Sequence, residues 1–378
     1  MIWLIEILLA GYLLWRVILP LRLKWGWKML LALPLLLAAF KFHVIHLVGG
    51  PMFFSPDLPW PVLSVAAWMF AALLFFFCLV LAADIVRALY LLCLFVARRK
   101  RTERFRMLAN RTNLVLLCAA AVLATGGFIA GMGAPQVREE TVFLDELPPE
   151  ADGMTIAVLA DLHVDGMTRD GFLQDVVRRT NALNPDIIAM AGDFVDGTVD
   201  VRGEALRPLA ELSARYGVFG VPGNHEYYSG YEAWRPVLTG LGIRMLDNEH
   251  AVMHGRKLAL AGVTDPAAGR FGQQQPDMAR ALGGIPPGTT RVLLVHQPAL
   301  ASEAGERDVD LQISGHTHGG MMYGLNRLVA GFNKGLVAGQ YRLGNMAVYV
   351  SRGTGIWHGF PIRLGVPAEI VLLHLRRK

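Results

Sequence analysis

Cysteine is nearly absent from this chain of 378 residues: the three that occur, Cys78, Cys93 and Cys118, all fall before residue 135. The region beyond therefore forms no internal disulfide and offers no thiolate to a metal. Charge is also scarce, at 18% of residues against 53% hydrophobic, and it is unevenly spread. Residues 1–135 hold 13 Lys or Arg and four Asp or Glu, so the overall +5 conceals a first part at +9 and a remainder at −4. The basic surplus lies among apolar segments, where anionic membrane lipid is its natural partner, and no nucleic-acid partner is expected. No basic stretch precedes the first apolar run, which is expected to act as an uncleaved anchor rather than a cleaved signal peptide. Internal repeats and low-complexity tracts are lacking as well.

What the chain has in abundance is long apolar runs. Those near 2–20, 27–48, 62–83 and 113–133 are each close to the ~20 residues needed to cross a hydrocarbon core. Region 58–97 exceeds one crossing but contains Asp84 and Arg87, spaced to pair on one helix face. It reads as one span with an interfacial helical extension, a fifth span being the alternative. Arg22, Lys24 and Lys28 lie between the first two spans. Arg98, Arg99, Lys100, Arg101, Arg104, Arg106 and Arg111 lie between the last two, whereas 49–61 contains no Lys or Arg. An excess of Lys and Arg marks cytoplasmic loops. Four spans then make an integral inner-membrane protein whose C-terminal region is on the outer, periplasmic side.

Composition shifts near 131–135, and 136–152 is expected as a linker of strand or linker character. From 153 to 378, strands are expected at 154–160, 186–191, 218–221, 257–262, 291–295, 310–313, 347–350 and 370–375. Helices are expected at 169–183 and 203–214. Strands alternating with helices and then clustering argue for a layered α/β (α+β) domain behind an α-helical membrane bundle.

Five short segments follow these apolar strands: Asp161–Leu162–His163, Gly192–Asp193, Gly223–Asn224–His225–Glu226, His296, and Gly315–His316–Thr317–His318. They offer oxygen and imidazole donors of the kind intermediate divalent metals accept. Singly, Asp161 and Asp193 also read as turn residues and His296 as an ordinary strand-end histidine. Together and in this order they spell a two-metal phosphoesterase.

The five segments resemble the calcineurin-like metallophosphoesterases, and among them the membrane-anchored bacterial branch with YkuE- and YaeI-type proteins, over about residues 150–378. The resemblance implies a central β-sandwich flanked by helices, with the site on loops. It makes Asp161, His163, Asp193 and His318 ligands of one metal, and Asp193, Asn224, His296 and His316 ligands of the other, with Asp193 bridging. His225 becomes a general acid for the leaving alkoxide. Two divalent ions (Mn, Fe or Zn) are implied, activating water to hydroxide near neutral pH to attack phosphorus. The expected partners are a phosphorylated small molecule or lipid as substrate, and membrane lipids. The family often continues Gly-His-Thr-His-Gly-Gly with Gln, where this chain has Met321–Met322–Tyr323. Arg352 and Arg363 read either as phosphate contacts or as structural ion pairs. Met321, Met322, Tyr323, Trp357 and Phe360 read as core or as an apolar lip facing the bilayer. His43, His46, His250, His254, His358 and His374 lack partner motifs and read as interfacial or structural. A transporter or sensor with a regulatory phosphatase domain, and a non-catalytic metal-binding scaffold, are the competing classes. The few ionisable residues in the spans argue against the first. The presence of His225 beside a full ligand set argues against the second.

Overall fold

A computed structural model describes residues 2–48, 56–98, 103–253, 255 and 257–378. The chain forms two compact units, Met1–Ile129 with Gly359–Ile362, and Ala130–His358 with Arg363–Lys378. Arg99, Lys100 and Arg101, the 49–55 part of the loop without Lys or Arg, and His254 lie outside the described residues.

The first unit is helical, as expected of continuous apolar runs. Ile2–Leu13 continues through a π-helical turn, Leu14–Ile18. Trp25–Ala39 carries Pro34, and it and Lys41–Val48 are bent by 78° at the break between them. Trp60–Val96 is one uninterrupted helix of 37 residues, and Glu103–Gly131 is another of 29. By length and composition, Trp60–Val96 and Arg111–Gly131 suffice to cross a membrane, and the bent pair makes a third candidate. The runs near 2–20 and 27–48 are thus a short helix and a broken one rather than two plain spans. Asp84 and Arg87 do pair, at 2.8 Å, and Tyr12 and Arg16 join the same carboxylate. Pairing of this kind is what lets ionised groups persist inside apolar helices. Leu9, Leu13, Ala38, Leu73, Phe76, Val80 and Ala120 share one core, so four helical segments pack together.

The second unit has two six-stranded mixed sheets. Its strands begin with Gln136–Leu144 (β1), Thr155–Leu159 (β2), Ile187–Met190 (β3), Val218–Gly220 (β4) and Ile243–Met245 (β5). Glu249–Met253 (β6), Leu258–Gly262 (β7), Thr290–Leu294 (β8) and Leu311–Ser314 (β9) follow. Gly339–Leu343 (β10), Met346–Val350 (β11) and Glu369–Arg377 (β12) complete the set. One sheet runs β1-β12-β2-β3-β4-β5 and the other β10-β11-β9-β8-β7-β6.

Side-chain alternation builds the layers, since successive strand residues point to opposite faces. Ile156 and Val158 of β2 meet Leu258, Leu260, Val292 and Leu294 in the core between the sheets. Ala157 and Leu159 face outward to Leu173, Val176 and Trp234 of the helices Phe172–Ala182 and Tyr231–Gly240. Ala259 and Leu293 likewise face Met278, Ala281 and Ala301 on the other side. The result is the expected sandwich flanked by helices.

One expectation is made specific and one is corrected. Residues 136–144, in the stretch expected to have strand or linker character, are β1, which pairs in parallel with β12 from Gln136–Glu369 to Leu144–Arg377. Residues 203–214 are not an α-helix; Val199–Arg202 makes one α-turn and Gly203–Glu211 a 3-10 helix with Pro208 inside. A proline there lacks the N–H that an α-helical bond requires.

Candidate metal centre

The five motifs meet in space because they end neighbouring parallel strands. Asp161 and His163 follow β2, Asp193 follows β3, Asn224 and His225 follow β4, His296 follows β8, and His316 and His318 follow β9. The chain turns sharply at each end. Asp161, His163, Asp193, His316 and His318 all have positive φ, between 46° and 73°. Non-glycine residues held in this region cost of order 1–3 kcal/mol each, and they cluster where function over-determines the backbone. Glycine supplies the clearance: a Cβ on Gly223 would sit 2.1 Å from Asp193 Oδ1, and one on Gly315 2.8 Å from Asp161 Oδ2.

Three overlapping groups of donors result, the third being His163, Asp193 and His225. Asp161, His163 and His318 bring one ligand atom each within 4.8 Å of one another, as do Asp193, His296 and His316. Asn224 Oδ1 lies 3.2 Å from His296 Nε2, joining the second group. Asp193 Oδ2 stands between the first two groups, 3.5 Å from His163 Nε2 and 3.2 Å from His296 Nε2. All seven residues expected as ligands therefore converge. His225 is beside them, its ring edge-on to His163 at 4.6 Å between centroids.

The donor chemistry fits divalent metals. An imidazole ligand must be neutral, with its other nitrogen held by a carboxylate or carbonyl. His163 Nδ1 is held by Asp196 at 2.9 Å, and His296 Nδ1 by the Ala191 carbonyl at 2.8 Å. Burial, with the charge of His296, drives the His316 pKa down to about 3. Burial and His163 likewise push His318 well below the ordinary range. Both rings are thereby kept in the neutral form. At His296 burial acts the same way, but the Asp193 carboxylate outweighs it and raises the pKa well above the ordinary range, so that a metal bound there would displace a proton. His163 Nε2 and His318 Nε2 face each other at 3.0 Å, an arrangement that a cation between lone pairs would stabilise. Burial raises Asp161 to about 6, despite the opposing charge of His296.

His225 is different. Burial alone would lower its pKa, but the Asp196 and Asp193 carboxylates outweigh this and raise it to about 9. The two carboxylates thus favour the protonated ring. Its Nδ1 bonds Asp196 Oδ1, so a proton transferred from this ring leaves through Nε2.

Asp196 and Glu226 are the residues that sequence reasoning passed over. Asp196 holds His163 with one oxygen and His225 with the other. Its signal was the second Asp in Gly192–Asp193–Phe194–Val195–Asp196. Glu226, quoted within a motif but given no role, accepts the backbone N–H of Asp193 (2.8 Å), Phe194 (2.7 Å), Val195 (3.2 Å) and Gly223 (2.7 Å). It fixes the loops after β3 and β4 to each other.

The open alternatives resolve toward structure. Arg363 is 1% exposed and donates to the carbonyls of His318, Arg352, Gly355 and Val366, supporting the loop that carries His318. Arg352 lies 3.6 Å from Glu369. His358 is paired to Asp165 at 2.6 Å, His250 bonds the Ala281 carbonyl, and His374 pairs with Glu139. Trp357 is half-buried with its ring 6.3 Å from that of His225, whereas Tyr323 is exposed.

The calcineurin-like phosphoesterase pattern matches residues 154–320. A "transmembrane protein with metallophosphoesterase domain" from Bos taurus is 31% identical over 366 residues, 93% of this chain and 80% of that protein. A Danio rerio protein of the same description is 32% identical over 278 residues, 71% of this chain but only 63% of that protein. The uncharacterized metallophosphoesterase YkuE of Bacillus subtilis is 28% identical over 274 residues, 69% of this chain and 93% of that protein. The chain belongs to the calcineurin-like phosphoesterases, a hydrolase family. The bovine match reaches well before residue 150, so the likeness is not confined to the C-terminal region. Vertebrate relatives likewise show that the resemblance is not to a bacterial branch alone.

Proposed function

We propose that the chain is a membrane-anchored, binuclear metal-dependent phosphoesterase that hydrolyses a phosphoester or pyrophosphate bond of a lipid-linked or envelope substrate. The observation that carries this reading is the convergence of seven oxygen and imidazole donors, with Asp193 between His163 and His296. Asp161, His163, Asp193 and His318 would hold one divalent ion, and Asp193, Asn224, His296 and His316 the other. When bound, Mn, Fe or Zn would polarise phosphoryl oxygens and lower the pKa of water.

The remaining roles belong to the protein. Asp193 would serve both ions because a carboxylate has two oxygens and about four lone-pair sites. Asn224 adds a neutral oxygen, which leaves the positive charge of the centre less compensated. His225 gives its proton through Nε2 to the leaving oxygen, and Asp196 holds that ring in place. Glu226 keeps the backbone of Asp193 and Gly223 in register.

The membrane part of the proposal is four crossings with the catalytic unit on the outer side, supported by the Lys and Arg distribution. The catalytic part is tested by metal analysis of Asp193→Asn. Both ions should bind more weakly and hydrolysis of bis-p-nitrophenyl phosphate should collapse. Wild-type stoichiometry and turnover would overturn the assignment.

A further inference from the structure

One face of the second unit has apolar side chains and no core to receive them. The helix Leu325–Phe332 follows His318 closely, and a Cβ on Gly320 would lie 2.4 Å from Asn326 Cα. Leu325, Leu328, Val329 and Phe332 recur at i, i+3, i+4 and i+7, the pattern of an apolar stripe. Yet no residue of this helix is buried. The three most exposed large hydrophobics of the unit are here: Tyr323 at 76%, Leu328 at 58% and Phe332 at 80%.

The charge along this stretch of the chain has one sign. From residue 311 to 368 the sequence has no Asp or Glu and five Lys or Arg, although the chain after residue 135 is net acidic. Arg342 pairs with Asp145, Arg352 pairs with Glu369, and Arg363 is buried. Arg327 and Lys334 are exposed, and among the described residues neither has a carboxylate partner; Lys334 reaches only Ser302 Oγ at 3.2 Å. An aromatic and aliphatic stripe flanked by unpaired cations has the composition of an element that lies in the headgroup boundary of an anionic bilayer.

We infer that residues 323–334 form a membrane-surface docking element, its apolar stripe seated in an anionic lipid interface beside the loop that bears His316 and His318. Such seating brings the mouth of the metal centre to lipid phosphates and favours a substrate embedded in the bilayer over a diffusing one. The inference rests on the membrane anchoring proposed above and not on the metals.

The test uses the full chain with Cys78, Cys93 and Cys118 replaced by Ser and a fluorophore on Leu328→Cys. It is reconstituted into phosphatidylcholine vesicles with and without phosphatidylglycerol, carrying spin-labelled acyl chains as quenchers. Quenching should be several-fold stronger than for a label on Glu204→Cys, and stronger again with phosphatidylglycerol. That anionic excess should vanish in Arg327→Glu/Lys334→Glu. Equal quenching at 328 and 204 overturns the inference. So does shielding of the 328 label in detergent that grows with protein concentration, which marks a face for a second copy. Flotation of the vesicles reports anchoring separately, and no arm reads catalysis.

Discussion

Replacing Gly223 by Ala adds one methyl group at the point where the loops after β3 and β4 touch. The backbone there is extended (φ −96°, ψ −174°), so alanine meets no conformational penalty. The penalty is steric. The new Cβ would lie 2.1 Å from Asp193 Oδ1 and 2.6 Å from Asp193 N, where ordinary contact begins at 3.4 Å. The two must part by roughly 1 Å, a displacement that costs about 10²-fold when it reaches catalytic geometry. Asp193 has little room to give, because its N–H is held by Glu226 at 2.8 Å and its φ is already +55°. Overpacking of this kind costs about 1–3 kcal/mol of stability.

Gly223→Ala should therefore stay folded with a modestly lowered melting temperature, lose metal content, and lose about 10²-fold or more in bis-p-nitrophenyl phosphate hydrolysis. Gly240→Ala is the matched control: its Cβ would meet nothing within 4 Å at the end of the helix Tyr231–Gly240. It should be neutral or stabilising by up to about 1 kcal/mol. Wild-type metal content and turnover in Gly223→Ala would show that Asp193 is not where the centre is built.

Three further outcomes follow from the same geometry. His225→Ala should keep both metals yet lose about 10²–10⁴-fold in turnover, most with poor leaving groups; metal analysis that finds one ion missing would make His225 a ligand. Asp196→Asn should weaken metal binding through His163 and, independently, slow turnover through His225, because each ring loses its anionic partner; isothermal titration and turnover at saturating metal separate the two effects. Glu226→Gln sets an amide NH₂ against backbone N–H donors, which should cost about 1–3 kcal/mol for each donor left unpaired. Chemical denaturation checks this, and unchanged stability would remove Glu226 from its role as the tie between loops.

The core strands were legible because β2, β3, β8 and β9 are short apolar runs bounded by turn residues, and each run ended at a ligand motif. β1 was legible only as strand or linker, because an edge strand with Arg138, Glu139 and Glu140 buries only Val142 and Leu144 and so carries little apolar signal. The ligand residues were legible by type and order. Asp196 was not, because its role depends on two histidines, 33 and 29 residues away, that only the fold brings to its two oxygens. Arg363 stayed open between two readings for a related reason: an arginine near a phosphate site also reads as an anion clamp, while here burial directs it to carbonyls. The exposure of Tyr323, Leu328 and Phe332 had no sequence signal either, since an apolar stripe reads the same whether or not a core receives it.

The number of crossings turns on the first helix. Its twelve α-helical and five π-helical residues span roughly 25 Å at about 1.5 Å per residue, against a hydrocarbon core of about 30 Å. The deficit is small enough for local thinning of the bilayer. If this helix crosses, the bent pair Trp25–Ala39 with Lys41–Val48 returns the chain, and the helices Trp60–Val96 and Arg111–Gly131 make four crossings. Both loops rich in Lys and Arg then lie on one side, which the positive-inside rule makes cytoplasmic, and residues 130–378 lie opposite. If it does not cross, the bent pair and the two long helices still leave both basic loops on one side and residues 130–378 opposite, and only the N-terminus changes side. If instead the bent pair re-enters without crossing, Arg22, Lys24 and Lys28 lie opposite Arg98 and Arg111, against that rule. The charges therefore favour a crossing by the bent pair, which keeps both basic loops on the cytoplasmic side and residues 130–378 opposite with either three or four crossings. An alkaline phosphatase fused after Lys378 should be active outside the inner membrane and a fluorescent protein there dark; the reverse pattern would place the metal centre among cytoplasmic substrates.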